Sequence, residues 1–448
     1  MSERFDLIVK GGTVVSHAGR AQADVGVRDG RFAAIGDLAS ASAGEVIDAR
    51  GLHVLPGVID SQVHFREPGL EWKEDLESGS RAAVMGGVTC VFEMPNTNPS
   101  TITPELMTDK VARGRDHMHC DFAFYAGATK ENPHLLAEME AMEGCCGVKV
   151  FMGASTGDLL VDDDEGVAAV LAAIKRRAAF HSEDEFRLAD RRQLARPGDW
   201  TSHEEVRDAE AAMISTQRLV RLARAAGKRI HVLHISTAEE IEFLAQHRDV
   251  ASVEVTPQHL TLEAPDAYLR LKAYAQMNPP IRGAAHRAGL WRGVEQGVAD
   301  VIGSDHAPHT IEEKSKPYPQ SPSGMPGVQT LVPIMLDHVN AGRLTLERFV
   351  DLTSHGVQRI FGLAAKGRIA AGYDADLTLV DMKAERTIED SWLASRCGWS
   401  PFTGQTVKGW PVATIVRGRA VMRDDALVTP STGAPARFME TLAPDYSR

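Results

Sequence analysis

Between residues 57 and 364 the chain repeats one alternation that few folds accommodate. Short apolar runs, each six to nine residues long, are separated by longer helical or loop segments. The runs are "GVIDSQVHF", "VTCVFEM", "DFAFYAG", "GVKVFMG", "RAAFHS", "RIHVLHI", "ASVEVT" and "DVIGSD". Intervening patterns such as "EEVRDAEAAMISTQRLVRLARAAG" place Val206, Ala209, Met213, Leu219 and Leu222 at roughly helical spacing before Gly227. Strands that alternate with helices form a parallel sheet, and eight such units close into a (β/α)8 barrel. The fold class is therefore α/β.

Both ends of the chain read differently. "DLIVKGGTVV", "ADVGVRDGRFAAIG" and "EVIDARGLHVLPG" are short strands parted by glycine turns, and "GRIAAGYDADLTLVD" with "PVATIVRGRAVMRD" returns to the same pattern near the C-terminus. These stretches predict one small β-sandwich domain composed of residues 1–56 and 365–448, with the barrel, 57–364, inserted between them.

Charge narrows the function. With 49 basic and 61 acidic residues the net charge is −12, and no long basic run offers itself to nucleic acid or an anionic membrane. No apolar run approaches the ~20 residues that span a bilayer, and the opening "MSERFDLIVK" lacks the pattern of a signal peptide. Five cysteines without a C-x-x-C pair indicate neither a disulfide framework nor a zinc knuckle. The expectation is a cytoplasmic enzyme with reduced thiols and a small-molecule substrate.

In a (β/α)8 barrel, side chains from several strand ends converge on one face. His64 ends the first predicted strand, Lys149 lies in the fourth, His181 ends the fifth, His234 the sixth and Asp305 the eighth. Taken singly, a strand-end histidine is usually a hydrogen-bonded structural residue, and Asp305 could merely cap a turn. Lys149 inside "GVKVFMG" is harder to dismiss, because lysine is seldom buried without a partner. Of the pair in "HVLH", strand alternation sends His231 and His234 to opposite faces, and His234 is taken as the inward one. His17, His53, His117, His119, His134, His203 and His247 read as surface or packing residues, and His259 stays open. Imidazoles with carboxylates suit zinc, whose open position lowers the pKa of a water to about 7.

The ordered segments "PGVIDSQVHFREPG", "FEMPNTNP", "GVKVFMGASTGDLLVD", "AFHSEDE", "LHISTAEE", "VTPQHL", "MNPPIR" and "IGSDHAPHT" resemble the dihydroorotase branch of the amidohydrolase superfamily over nearly the whole chain. That resemblance implies a zinc centre of one or two ions bridged by a carboxylated Lys149, with His64, His181, His234 and Asp305 as further ligands and Asp305 as proton shuttle. It also implies that Arg66, Asn96 and His309 hold the substrate carboxylate and that Asn278 binds substrate. Hydrolysis of a cyclic amide, interconverting dihydroorotate and N-carbamoyl-L-aspartate in pyrimidine synthesis, is the implied activity. Copies of the same chain and aspartate transcarbamoylase are the implied partners.

One position departs from the pattern. Most members of the resembled superfamily carry H-x-H where this chain has Gln62-Val63-His64, so a nitrogen ligand is replaced by an amide, at most a weak ligand. The Lys149, His181 and His234 site needs nothing from position 62. Two other readings follow: a cyclic amidase of hydantoinase or allantoinase type, and a metal-poor scaffold that partners another pyrimidine enzyme. The segment "HAPHTIEEKSKPYPQSPSGMPG" is long enough to act as a closing loop.

Overall fold

A computed structural model describes residues 4–154 and 159–442. Residues 1–3, 443–448 and 155–158, the last within the "GVKVFMGASTGDLLVD" segment, lie outside the described residues.

All eight expected strands form and pair in chain order in one parallel sheet: Val58–Val63, Val88–Glu93, Asp121–Gly127, Cys145–Phe151, Ala178–His181, Ile230–Val232, Ala251–Val255 and Val301–Ile302. The ring closes where Val63 bridges His306 in parallel and the His64 backbone N–H donates to His306 O at 2.7 Å. Alternation along each strand splits the apolar residues into two layers. Val148, Val150, Phe180, Val232 and Val253 face the surrounding helices, while Ile59, Cys90, Phe92, Tyr125, Ala179 and Leu233 fill the barrel. Phe361 and Phe438 join this inner cluster, and each packs edge-on against Phe92, at 5.2 and 5.9 Å between ring centres.

The expected long helix over 204–227 is interrupted. His203–Val206 and Ala209–Ala225 are separate helices, because Asp208 takes an extended conformation and its side chain accepts from Ala211 N as an N-cap.

The chain ends build a nine-stranded sheet in which eight strands follow one hydrogen-bonded path and Ser42–Asp48 branches from it. Strand Arg4–Ser16 pairs antiparallel with Gly19–Arg28, and in parallel with both Ser42–Asp48 and His53–Pro56. His53–Pro56 then pairs antiparallel with Leu377–Thr387, joining the two termini. Leu7, Val9, Val25, Phe32, Leu377 and Ile415 share its apolar cluster. All five cysteines are buried and free. No helix among the described residues is long and apolar enough to cross a membrane.

Candidate active site

The strand ends bring together what the sequence scatters over 240 positions. Gln62, His64, Lys149, His181, His234, Asn278 and Asp305 line a single small cavity of about 20 Å³, closed on its other sides by Phe151, Ala307, Ser323 and Gly324. That is room for roughly one water. His234 and Asp305 lie beyond the ends of their strands with φ of 36° and 45°, a left-handed backbone that non-glycine residues adopt at some cost, and Arg66 does the same at 68°.

The donors come in two facing pairs. His181 Nδ1 and His234 Nε2 stand 3.1 Å apart. His181 Nε2 donates at 2.8 Å to Glu183, whose carboxylate is held well below its usual range, chiefly by Arg207 against the cost of burial. The proton of His181 is thereby fixed on Nε2, and its Nδ1 lone pair faces His234. His234 Nδ1 has no hydrogen-bond partner. Burial pushes both imidazoles below their ordinary pKa, so they are neutral and ready to ligate. Two nitrogens bound tetrahedrally to one zinc at about 2.05 Å would be about 3.3 Å apart, close to the observed separation.

The second pair is His64 Nε2 and Asp305 Oδ1, 3.2 Å apart, with His64 Nδ1 bonded to Asn96 Oδ1 at 2.7 Å. Gln62 Nε2 donates to the same Asp305 Oδ1 at 2.9 Å, leaving its buried Oε1 without a partner. Lys149 is fully buried. Its Nζ has no hydrogen-bond partner and lies 4.5 Å from the centre of the Phe151 ring, and burial lowers its pKa to about 7. Among the described residues no three His, Cys, Asp or Glu side chains form a metal cage by themselves. The fit to a metal therefore rests on two nitrogens with Lys149 on one side, and on one nitrogen and a carboxylate on the other.

Arg66, Asn96 and His309 are buried behind this cavity rather than on its surface. Arg66 Nε donates to Pro308 O at 3.3 Å and Nη2 lies 3.5 Å from His309 Nε2. His309 is bonded to Ser323 O and Lys73 Nζ, and burial lowers its pKa to about 3. The expected closing loop is folded and anchored. It carries a helical turn, Ile311–Lys314, and Lys314 Nζ donates to the carbonyls of Pro322 and Gly324, both at 2.8 Å.

Several site residues escaped the sequence reading. His203, expected at the surface or in packing, is buried and its Nε2 lies 3.1 Å from Asn278 Oδ1 and 2.9 Å from Met277 O. Burial holds it near pKa 4 and so neutral, and because both partners of Nε2 are carbonyl oxygens the proton sits there, facing Met277 O and Asn278 Oδ1. Glu183 stood in "AFHSEDE", but its partner Arg207 lies 24 positions on. His231 also faces into the barrel, against Phe361 and bonded to Ser252 Oγ. His234 reaches the same side because its positive φ breaks the strand alternation. His259 is buried, with Nδ1 on Thr256 Oγ1 and Nε2 on Pro279 O.

Comparison with known proteins shows what the chain as a whole is similar to. The profile of the amidohydrolase family matches residues 53–421. A dihydroorotase of Halobacterium salinarum is 38% identical over 417 residues, covering 90% of this chain and 96% of that protein. An allantoinase of Rubrobacter xylanophilus is 37% identical over 452 residues, covering 97% of each. The crystal structure of an L-hydantoinase (dihydropyrimidinase) from Arthrobacter aurescens superposes with a TM-score of 0.93 at 32% identity, covering 96% of this chain and 99% of that one. The chain belongs to the amidohydrolase family, and within it to the cyclic amidohydrolases.

Proposed function

We propose that this enzyme is a zinc-dependent dihydroorotase that interconverts dihydroorotate and N-carbamoyl-L-aspartate. The observation that carries the reading is Arg66. Arg66 is 2% exposed, and among the described residues it forms no ion pair within 4 Å; the carboxylates of Asp305, Glu93, Glu313 and Glu74 act on it from farther off. A buried cation with no acid in direct contact is costly, and a substrate carboxylate gripped by both arms of the fork would supply that contact. Hydantoin and allantoin rings carry no such group.

Lys149, His181 and His234 would hold zinc, with His64 and Asp305 beside a weaker second position. Lys149 fits a carbamate: its partnerless amine adds to carbon dioxide, the C–N bond forms as a proton leaves, and the product is a carboxylate. Zinc held there would supply Lewis acidity for a carbonyl and a water whose pKa is lowered to about 7. Asp305 then takes the proton of the attacking water and passes it to the ring nitrogen as the amide bond breaks. His64 and Gln62 keep the Asp305 carboxylate in place for both transfers. Asn278, oriented by His203, offers its NH2 to the ring. The reading carries with it the cytoplasmic setting, self-association, a partnership with aspartate transcarbamoylase and the division into 1–56 with 365–448 and 57–364.

The test is Arg66→Lys, which keeps the charge and loses the fork. Dihydroorotate kcat/KM should fall by about 1.5 to 3 kcal/mol, the range for a hydrogen bond to a charged group. Unchanged kinetics would remove the main support for this substrate.

A further inference from the structure

Lys175, Arg176, Arg177, Lys228, Arg229 and Arg359 line one recess of about 450 Å³, with Glu440 as the one acid among its lining residues. The first five directly precede the strands Ala178–His181 and Ile230–Val232, so the recess opens at the end of the barrel opposite the active site. In a chain where acids outnumber bases 61 to 49, the local balance is inverted.

The recess is built rather than incidental. The Glu140 carboxylate accepts from the backbone N–H groups of Lys175 and Arg176, at 2.6 and 3.2 Å, and fixes the turn that presents them. Arg176 forms the floor: it is 8% exposed and its donors are committed to Glu140 O, Cys145 O, Phe361 O and Glu440 Oε2. The cations above it are less fully engaged, and Lys228 Nζ donates to one backbone carbonyl, Ile174 O, at 2.7 Å. Arg177 donates to Ile230 O at 3.3 Å and has no carboxylate within 4 Å among the described residues. Burial, with the nearby charges of Arg229 and Arg359, lowers its pKa to about 10. The acid nearest Arg359 is Asp300 at 3.6 Å, which already accepts from Arg248 and from Val253 N.

Like charges gathered in partial burial repel one another, and a multivalent anion removes that cost. We infer that this recess binds a compact polyphosphate anion, such as pyrophosphate or the phosphate chain of a nucleoside triphosphate. Its volume is within the range of about 300 to 1,000 Å³ usual for small-molecule sites, and guanidinium forks match phosphate oxygens in pairs.

Titration calorimetry of the full chain with pyrophosphate, and separately with ATP, tests the inference at fixed ionic strength. We expect one saturable site, at least 10-fold weaker in Arg177→Gln/Arg229→Gln and unchanged in Arg419→Gln, an exposed arginine of the terminal sheet. Arg229→Gln alone changes an exposed side chain and should weaken binding several-fold in a protein that folds normally. Equal affinities for the two ligands would mean that the phosphate chain alone is recognised, and tighter ATP binding that the nucleoside adds contacts; either supports the site. No saturable binding, or equal affinity in natural and double-variant protein, would overturn it, as would an equal loss in the Arg419→Gln control.

Discussion

Gln62 stands two residues before His64, and its contacts say what an amide does there. An imidazole there would aim a lone pair at a cation; the amide instead donates a proton to Asp305 Oδ1. On the proposed reading, a second metal beside His64 and Asp305 would lack a nitrogen from position 62, while the pair His181 and His234 needs nothing from it. The protein should therefore hold one zinc tightly. Gln62→His should raise the zinc content toward two per chain under the same supply, because the new nitrogen joins His64 beside Asp305. Metal analysis of both proteins decides the matter, and two tightly held ions in the natural protein would contradict this view of the amide. The residues that answer to strand ends, His64, Lys149, His181 and Asp305, were legible in the sequence because the fold's own logic places them. Glu183 with Arg207 and His203 with Asn278 were not. Their contacts join positions 24 and 75 apart that no local pattern connects.

At the level of elements, apolar runs bounded by turns gave away all eight strands, since a strand buried on both faces is continuously apolar. The split helix at Asp208 was hidden by an apolar spacing that continues across it. Segment 388–405 was also hidden. It leaves the terminal sheet and lies over the active-site end, where Trp399 Nε1 donates to His309 O at 2.8 Å and Ser395 bonds to Glu74. Helix Leu331–Asn340 gives a prediction of its own. His338, against Thr261 Oγ1 and edge-on to Trp291, is held near pKa 4 by burial. Above pH 6.5 it is neutral folded and unfolded, so its contribution is constant. As pH falls from 6.5 to about 4 the unfolded chain takes up a proton that the folded chain refuses, and stability is lost at up to about 1.4 kcal/mol per pH unit. His338→Gln should flatten the dependence of unfolding free energy on pH in this window by that amount. An unaltered slope in urea titrations would show that His338 titrates alike in both states.

Over the whole molecule, sheet and barrel are joined by a buried set of charges. Lys366 Nζ lies 2.6 Å from both Asp121 and Asp376 and 3.4 Å from Asp374, and Arg417 also pairs with Asp121. Asp121 begins a barrel strand, whereas Asp376 directly precedes the sheet strand Leu377–Thr387. Removing the central cation leaves three buried acids short of a counter-charge, so Lys366→Met should destabilise the protein by about 3 to 5 kcal/mol. Thermal or urea unfolding would register that loss, and a variant as stable as the natural protein would mean that Arg417 and Arg437 suffice. In the candidate active site, by contrast, the buried Arg66 has acids nearby but none in contact. The relatives at comparable identity include a dihydroorotase and an allantoinase, so overall likeness does not choose between substrates and Arg66 has to. The most direct measurement is kcat/KM of the zinc-loaded enzyme for dihydroorotate, hydantoin and allantoin side by side. Dihydroorotate should be the best substrate of the three, and a preference for either ring without a carboxylate would contradict the account.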